Sequence, residues 1–236
     1  MSELRLLALA SKVQVGRGDD LVAILLDALN DAGEGLSHHD LLVVTSKVVS
    51  KSEGQVVDFD GTEDHKVALV EQESVRVLRR RGGLRITETR HGFINANAGV
   101  DLSNTEDGTA VLLPKNPDQS ARRLRAEIAR RTNVEVAVLI TDTFGRVWRQ
   151  GVTDVALGSA GLRPLLDLRG TFDANGRLLE ATEVAIADEI AGAANLVLHK
   201  AAGTPFALVR GLDESFFGPG SIAEDIVRAK NDDLFR

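Results

Sequence analysis

The feature that most constrains the fold of this chain is the apolar run over residues 134–140, which is rich in Val and Ile. Such a run is typical of a strand buried on both faces. A carboxylate, two hydroxyls, a glycine and an arginine follow at once, in residues 141–146. In sheets with parallel strands, ligands gather just beyond the carboxyl ends of the strands. The sequence therefore predicts that Asp142 lies where a metal or a polyphosphate is held. The alternative is a turn or helix cap after a core strand.

The remaining periodicity interleaves strands with helices. A polar turn at residues 16–20 caps a helix predicted over 21–29, and residues 40–45 form a second apolar strand. Residues 63–81 are interpreted as an exposed helix that ends in three arginines, which suit the negative end of a helix dipole. Residues 222–234 are predicted as a C-terminal helix. This interleaving indicates an α/β or α+β class.

Composition excludes several classes of protein and site. The 236 residues include no cysteine, which rules out disulfides, thiolate metal sites and cysteine nucleophiles. A net charge of −7 and an aromatic content of 4% argue against general nucleic-acid binding. No apolar stretch approaches the roughly 18–20 residues of a membrane span, and the first residues do not resemble a signal peptide. We therefore expect a cytoplasmic protein.

A second acidic segment, residues 95–104, gives Asp142 a potential partner. Small residues around Gly99 would let backbone amides approach a ligand, and Asp101 offers a hard oxygen ligand. On its own such a cluster of Asn, Gly and Asp is usually a turn. With Asp142 and Thr143 it supplies two carboxylates and a hydroxyl without nearby Cys or His, which suits Mg²⁺ or Mn²⁺ rather than zinc. Hard cations of this kind usually serve phosphate chemistry.

Cationic residues accompany both strands. Residues 45–51 place hydroxyls and two lysines at the end of an apolar strand, where they would hold phosphates or form a solvated strand edge. Arg146 and Arg149 follow Asp142 and are predicted to clamp a triphosphate or a carboxylate. The chain contains no G-x-x-x-x-G-K-[ST] phosphate-binding loop.

Seven stretches, in this order, resemble the coenzyme F420-0:L-glutamate ligases, also called gamma-glutamyl ligases. They are GDDL at 18–21, VVTSKVVSKSEG at 43–54, NAGVDLSN at 97–104, LP and PD at 113–118, ITDTFGR with WRQG at 140–151, EVAIADEIA at 183–191 and VRG at 209–211. The length resembles the stand-alone form of the family. We therefore expect a single ligase unit over residues 1–236, without the C-terminal flavin-binding domain that some relatives carry.

The resemblance implies a mixed α+β fold in two lobes and a homodimer. It also implies a reaction that uses GTP and Mg²⁺ or Mn²⁺, with K⁺ as a further candidate cation. The terminal carboxylate of the deazaflavin precursor F420-0 is activated as an acyl phosphate and attacked by the amino group of L-glutamate, releasing GDP and phosphate. Further glutamates are added through γ-linkages.

The resemblance also implies the roles of individual residues. Asp101 and Asp142 would bind a divalent metal, and Thr143 would bind a second ion. The nucleotide would contact Lys12, Val13, Gln14, Val15, Ser46, Lys51 and Asn104.

Two positions depart from the family pattern. Many members carry Gly-Leu-Pro where this chain has Ser11, Lys12 and Val13. Because the side chains differ, we expect this segment to contact the nucleotide through its backbone. Archaeal members place an acidic metal ligand near Lys200, whose charged ammonium would instead contact phosphate. A metal-dependent phosphohydrolase and a non-catalytic nucleotide-binding protein remain alternative readings.

Overall fold

The computed structural model describes residues 3–103, 105–198 and 203–234. The helices in these ranges are α1 (Leu21–Asp31), α2 (Ser46–Ser52), α3 (Glu63–Gln72), α4 (Pro117–Thr132), α5 (Ile186–Asn195) and α6 (Ile222–Asp225). The strands are β1 (Arg5–Leu9), β2 (Leu41–Thr45), β3 (Val56–Asp58), β4 (Ser74–Arg81), β5 (Leu84–Thr89), β6 (Ile94–Ala96), β7 (Thr109–Val111), β8 (Ala137–Gly145), β9 (Val152–Ala160), β10 (Leu166–Asp167), β11 (Glu183–Val184) and β12 (Phe206–Arg210).

The main sheet has five strands in the order β1-β12-β2-β8-β9. β2 and β8 run parallel, and the other neighbours run antiparallel. Both central strands are buried, as their apolar runs predict, since Leu42 and Leu139 expose none of their surface. Smaller sheets join β4-β5-β6, β3-β7 and β10-β11. This arrangement confirms the mixed α+β class.

Caps and buried faces define the helices that cover the sheet. The Asp20 carboxylate accepts hydrogen bonds from the backbone N–H groups of Val22 and Ala23, at 3.1 and 3.0 Å, and so begins α1 as predicted. Leu21, Leu25 and Leu29 share the buried face of this helix. The helix therefore packs its apolar stripe against the core while its polar face remains in solvent.

An ion pair fastens β12 to the start of β2. Arg210 donates from Nε and Nη2 to the two carboxylate oxygens of Asp40, both at 2.8 Å, and Asp40 is buried. A carboxylate removed from water requires such pairing, and the two-point geometry of Arg also fixes orientation. The contact holds β12 in register beside β2, so that it lies between β1 and β2.

The prediction of one helix over residues 63–81 is wrong in its second half. α3 ends at Gln72, and residues 74–81 form β4, which pairs with β5 through a two-residue turn at Gly82 and Gly83. Gly82 adopts a φ of 55°, which glycine takes without strain. The three arginines therefore lie on an exposed strand, so a helix dipole has no part in their placement.

The predicted C-terminal helix is also shorter than expected. α6 covers only four residues, and a short 3₁₀ turn follows at residues 230–232. Residues 228–233 are polar except for Ala229, so a longer helix would have no apolar face to bury. The Lys230 ammonium instead reaches the buried carboxylate of Glu88 on β5, at 3.3 Å. No helix among the described residues has the length and apolar character that crossing a bilayer requires.

Candidate functional site

A cavity of about 550 Å³ opens at the carboxyl end of β2. Its walls come from six parts of the chain: residues 11–15; residues 45–48 and 51; residues 101, 103, 105 and 106; residues 141–143 and 154 of the β8–β9 hairpin; residues 195 and 198; and residues 203–205. β2 ends at Thr45 and α2 begins at the next residue, so the chain turns away at this edge. Six separate segments thus meet at the end of one buried strand.

Asp142 lies inside a strand rather than after one. β8 continues to Gly145 because β9 pairs with it along its full extension, whereas the parallel pairing with β2 ends at Thr45 opposite Thr141. The sequence prediction placed Asp142 beyond the end of its own strand, and this detail is wrong. Asp142 nevertheless extends past the carboxyl end of the parallel neighbour, which brings it to the cavity.

Asp101 is held between backbone and side-chain partners. Its backbone exchanges two hydrogen bonds of 2.9 Å with Val111, and its Oδ1 atom accepts from the N–H and the hydroxyl of Ser103, both at 2.7 Å. The ammonium of Lys47, on α2, lies 2.7 Å from Oδ2. The side chain of Asp101 is therefore oriented before any ligand binds.

The charge state of Asp101 follows from these contacts. Burial by itself raises the pKa of the carboxyl, but the hydrogen bonds from Lys47 and Ser103 outweigh it, so the pKa lies below its ordinary value. The group is ionised at neutral pH. An ionised, half-buried carboxylate at a cavity wall is suited to hold a cation.

Asp154 is a member of the site that sequence reasoning missed. It lies on β9 directly opposite Thr143, is 5% exposed and lines the cavity. Its Oδ1 atom accepts a hydrogen bond of 2.6 Å from the Thr143 hydroxyl. The sequence signal that could have identified Asp154 is the turn at residues 145–151. A hairpin that folds about this turn pairs Asp154 with Thr143.

The other predicted contact residues divide into those at the cavity and those outside it. Lys12, Val13, Gln14, Val15, Ser46, Lys51 and Thr143 all line the cavity. Ser46 is buried in the first turn of α2, and the ammonium of Lys12 pairs with Asp31 at 2.7 Å. Asn104 and Lys200 lie outside the described residues.

Arg146 and Arg149 are not brought into the cavity. Both are exposed near the turn of the β8–β9 hairpin, where Nη2 of Arg146 donates to the backbone oxygen of Gln150 at 2.7 Å. No contact of these two arginines supports their predicted role as a clamp on a triphosphate. That role stays a prediction.

Within the described ranges, no three side chains of His, Cys, Asp or Glu gather into a metal-binding cluster. Asp101, Asp142 and Thr143 nevertheless contribute hard oxygen atoms to one cavity. Magnesium commonly binds through one or two carboxylates and completes its shell with water and phosphate oxygens. These three side chains are too few to surround a metal ion by themselves. They fit a metal ion that is also bound by the phosphate oxygens of a ligand.

Comparison with known proteins agrees with the resemblance. The family profile described as F420-0:Gamma-glutamyl ligase matches residues 12–211. The chain is 38% identical to the Coenzyme F420:L-glutamate ligase of Methanothermobacter thermautotrophicus, with 94% of each chain covered. It is 39% identical to the enzyme of the same name from Methanocaldococcus jannaschii, over 84% of each chain. From this match, which spans all six walls of the cavity, we conclude that the chain belongs to the F420-0:gamma-glutamyl ligase family.

Proposed function

We propose that this protein joins L-glutamate to the deazaflavin precursor F420-0 in a GTP- and metal-dependent reaction, and then adds further glutamates through γ-linkages. Family membership across residues 12–211 is the observation that carries the proposal. The cavity supports it, because ionised carboxylate, hydroxyl and lysine side chains converge there. Its volume of about 550 Å³ is within the range of small-molecule sites.

The proposed reaction has two steps. The carboxylate of F420-0 attacks the γ-phosphorus of GTP, which breaks the bond to the β-phosphate oxygen and yields an acyl phosphate and GDP. The amino group of glutamate then attacks the acyl carbon, phosphate departs, and the amine loses a proton as the amide forms. Phosphoryl transfer of this kind depends mainly on positioning and on neutralising negative charge.

Asp101, Asp142 and Thr143 would hold Mg²⁺ or Mn²⁺ together with phosphate oxygens. When bound, the cation would neutralise charge that develops on the transferred phosphoryl group. Ser46 and Lys51 would contact the phosphates from α2, and residues 12–15, which also line the cavity, would contact the nucleotide. The two lobes, the homodimer and a role for K⁺ stay predictions.

The direct test is a reconstitution. The protein is incubated with F420-0, L-glutamate, GTP and Mn²⁺, and products are followed by mass spectrometry and by GDP release. We expect successive additions of glutamyl residues, and repeated turnover of GTP to GDP that requires both acceptor and glutamate. Asp64→Asn is a matched control, because Asp64 is exposed on α3 and does not line the cavity.

The two alternative functions give different results in the same assay. A phosphohydrolase would release phosphate from GTP without F420-0 or glutamate. A non-catalytic binding protein would retain GTP without turnover. Either outcome in correctly folded protein would contradict the proposed ligase reaction.

A further inference from the structure

Lys47 occupies the position beside Asp101 that a metal ion would take. Its ammonium contacts three oxygen atoms: Oδ2 of Asp101 at 2.7 Å, the backbone oxygen of Ser103 at 2.6 Å and the Ser103 hydroxyl at 3.2 Å. A small cation surrounded by a carboxylate, a carbonyl and a hydroxyl is in the environment that hard metal ions prefer. The lysine thus serves as the cation of this oxygen cluster.

We infer that Lys47 is an internal counter-ion that competes with the divalent metal for Asp101 and that moves to the nucleotide phosphates when the metal displaces it. The inference rests on the proposed function for the identity of the nucleotide and the metal. It gives Lys47 the specific role of placing positive charge first on Asp101 and then on the phosphates.

The displacement follows from electrostatics. Two cations about 4 Å apart repel strongly in a partly buried site, so an ammonium at 2.7 Å from Oδ2 and a divalent ion on the same atom exclude each other. The lysine stem has four rotatable carbons and α2 holds its base at the cavity wall, so the ammonium can swing without backbone movement. A triphosphate in the cavity offers it new anionic partners.

Lys12 provides a comparison within the same cavity. It carries the same charge and also lines the wall, but its ammonium pairs with Asp31 at 2.7 Å, away from Asp101. Removing its charge leaves the Lys47–Asp101 pair in place. An effect on metal affinity that is specific to Lys47 therefore separates competition at Asp101 from a general change in the charge of the cavity.

The test measures Mn²⁺ binding without nucleotide, by electron paramagnetic resonance of the free ion. We expect Lys47→Met to bind Mn²⁺ about fivefold more tightly than the wild type, since a partly exposed ion pair contributes up to about 1 kcal/mol. Lys12→Met should bind within about twofold of the wild type. An unchanged or weaker affinity in Lys47→Met would overturn the inference.

Lys47→Arg gives an independent measurement should Lys47→Met fail to fold. A guanidinium can hold the carboxylate at two points, so this variant should bind Mn²⁺ more weakly than the wild type. A tighter affinity in Lys47→Arg contradicts competition. With Mn²⁺ saturating, Lys47→Met should also bind GTP about tenfold more weakly, because a charge-assisted contact to phosphate is lost.

The outcomes distinguish this inference from the proposed function. If neither the wild type nor Lys47→Met binds Mn²⁺, the metal assignment fails and the inference fails with it. If the wild type binds Mn²⁺ and makes glutamylated product while Lys47→Met binds no more tightly, the inference alone fails.

Discussion

The Asp154 carboxylate and the Thr143 hydroxyl are joined by a hydrogen bond of 2.6 Å across the β8–β9 hairpin. The proton of Thr143 is directed to Asp154, so the lone pairs of the threonine oxygen remain for a ligand in the cavity. Outer partners of this kind orient the groups that bind a metal directly. We therefore propose that Asp154 is a positioning residue, which acts through Thr143.

We predict that Asp154→Asn lowers Mn²⁺ affinity and ligase activity by about 10- to 100-fold, the usual effect of losing an outer partner of a metal ligand. The amide can donate to Thr143 and so reverse the direction of the bond. Titration with Mn²⁺ and steady-state kinetics measure the two effects. Asp173→Asn, at an exposed turn, is the control, and equal Mn²⁺ affinity in both variants would contradict the positioning role.

Asp142→Asn tests the metal assignment itself. We expect ligase activity to fall by about 100-fold or more, because a neutral amide is a weak ligand for a hard cation. Circular dichroism should show an unchanged fold, since Asp142 lies at the cavity rather than in the core. Mass spectrometry of the glutamylated product is the measurement. Full activity in this variant would refute a role for Asp142 in metal binding.

The lowered pKa of Asp101 gives a prediction for pH. The folded-state pKa lies below the unfolded value, so the stabilisation by this carboxyl is present above about pH 4 and is lost as the pH falls through the folded-state pKa. Urea denaturation should show the wild type more stable than Asp101→Asn at pH 7, by less than about 1 kcal/mol. The difference should shrink at pH 3. A difference that grows on acidification would contradict the charge-assisted contact with Lys47.

Gly158→Ala tests the packing that supports the site. A Cβ atom at Gly158 on β9 would lie 2.2 Å from the carbonyl carbon of Pro117, at the start of α4, and backbone atoms there cannot move aside cheaply. We expect a loss of about 3 kcal/mol or more in the free energy of unfolding. Gly35→Ala is the control, because no atom lies within 4 Å of its added Cβ. Equal stability of both variants would contradict this close approach.

Several elements were predictable because local and tertiary forces agree. The continuous apolar runs that form β2 and β8 are buried on both faces, and the cap at Asp20 marks the start of α1. Four segments of the cavity were also predictable, since their resemblance to a known family assigned them to one site before any geometry was known, whereas residues 195–198 and 203–205 were not predicted. Seven of the predicted nucleotide and metal contacts besides Asp101 and Asp142 line that cavity.

The sequence predictions failed where the structure of a segment depends on a partner elsewhere in the chain. β4 carries many charged residues, and only its register with β5 across Gly82 and Gly83 identifies it as a strand. Asp154 became visible only from the hairpin register that places it opposite Thr143. The contact of Lys47 with Asp101 depends on where α2 begins and joins residues 54 positions apart, which no local pattern encodes.

The place of β12 between β1 and β2 has a consequence for synthesis on the ribosome. A nascent chain that has emerged only as far as residue 202 leaves β1 and β2 without β12, the strand that lies between them. It also lacks residues 203–205, which form one wall of the cavity. A complete cavity is therefore expected only late in translation, and shortened products of interrupted synthesis should not bind a ligand there.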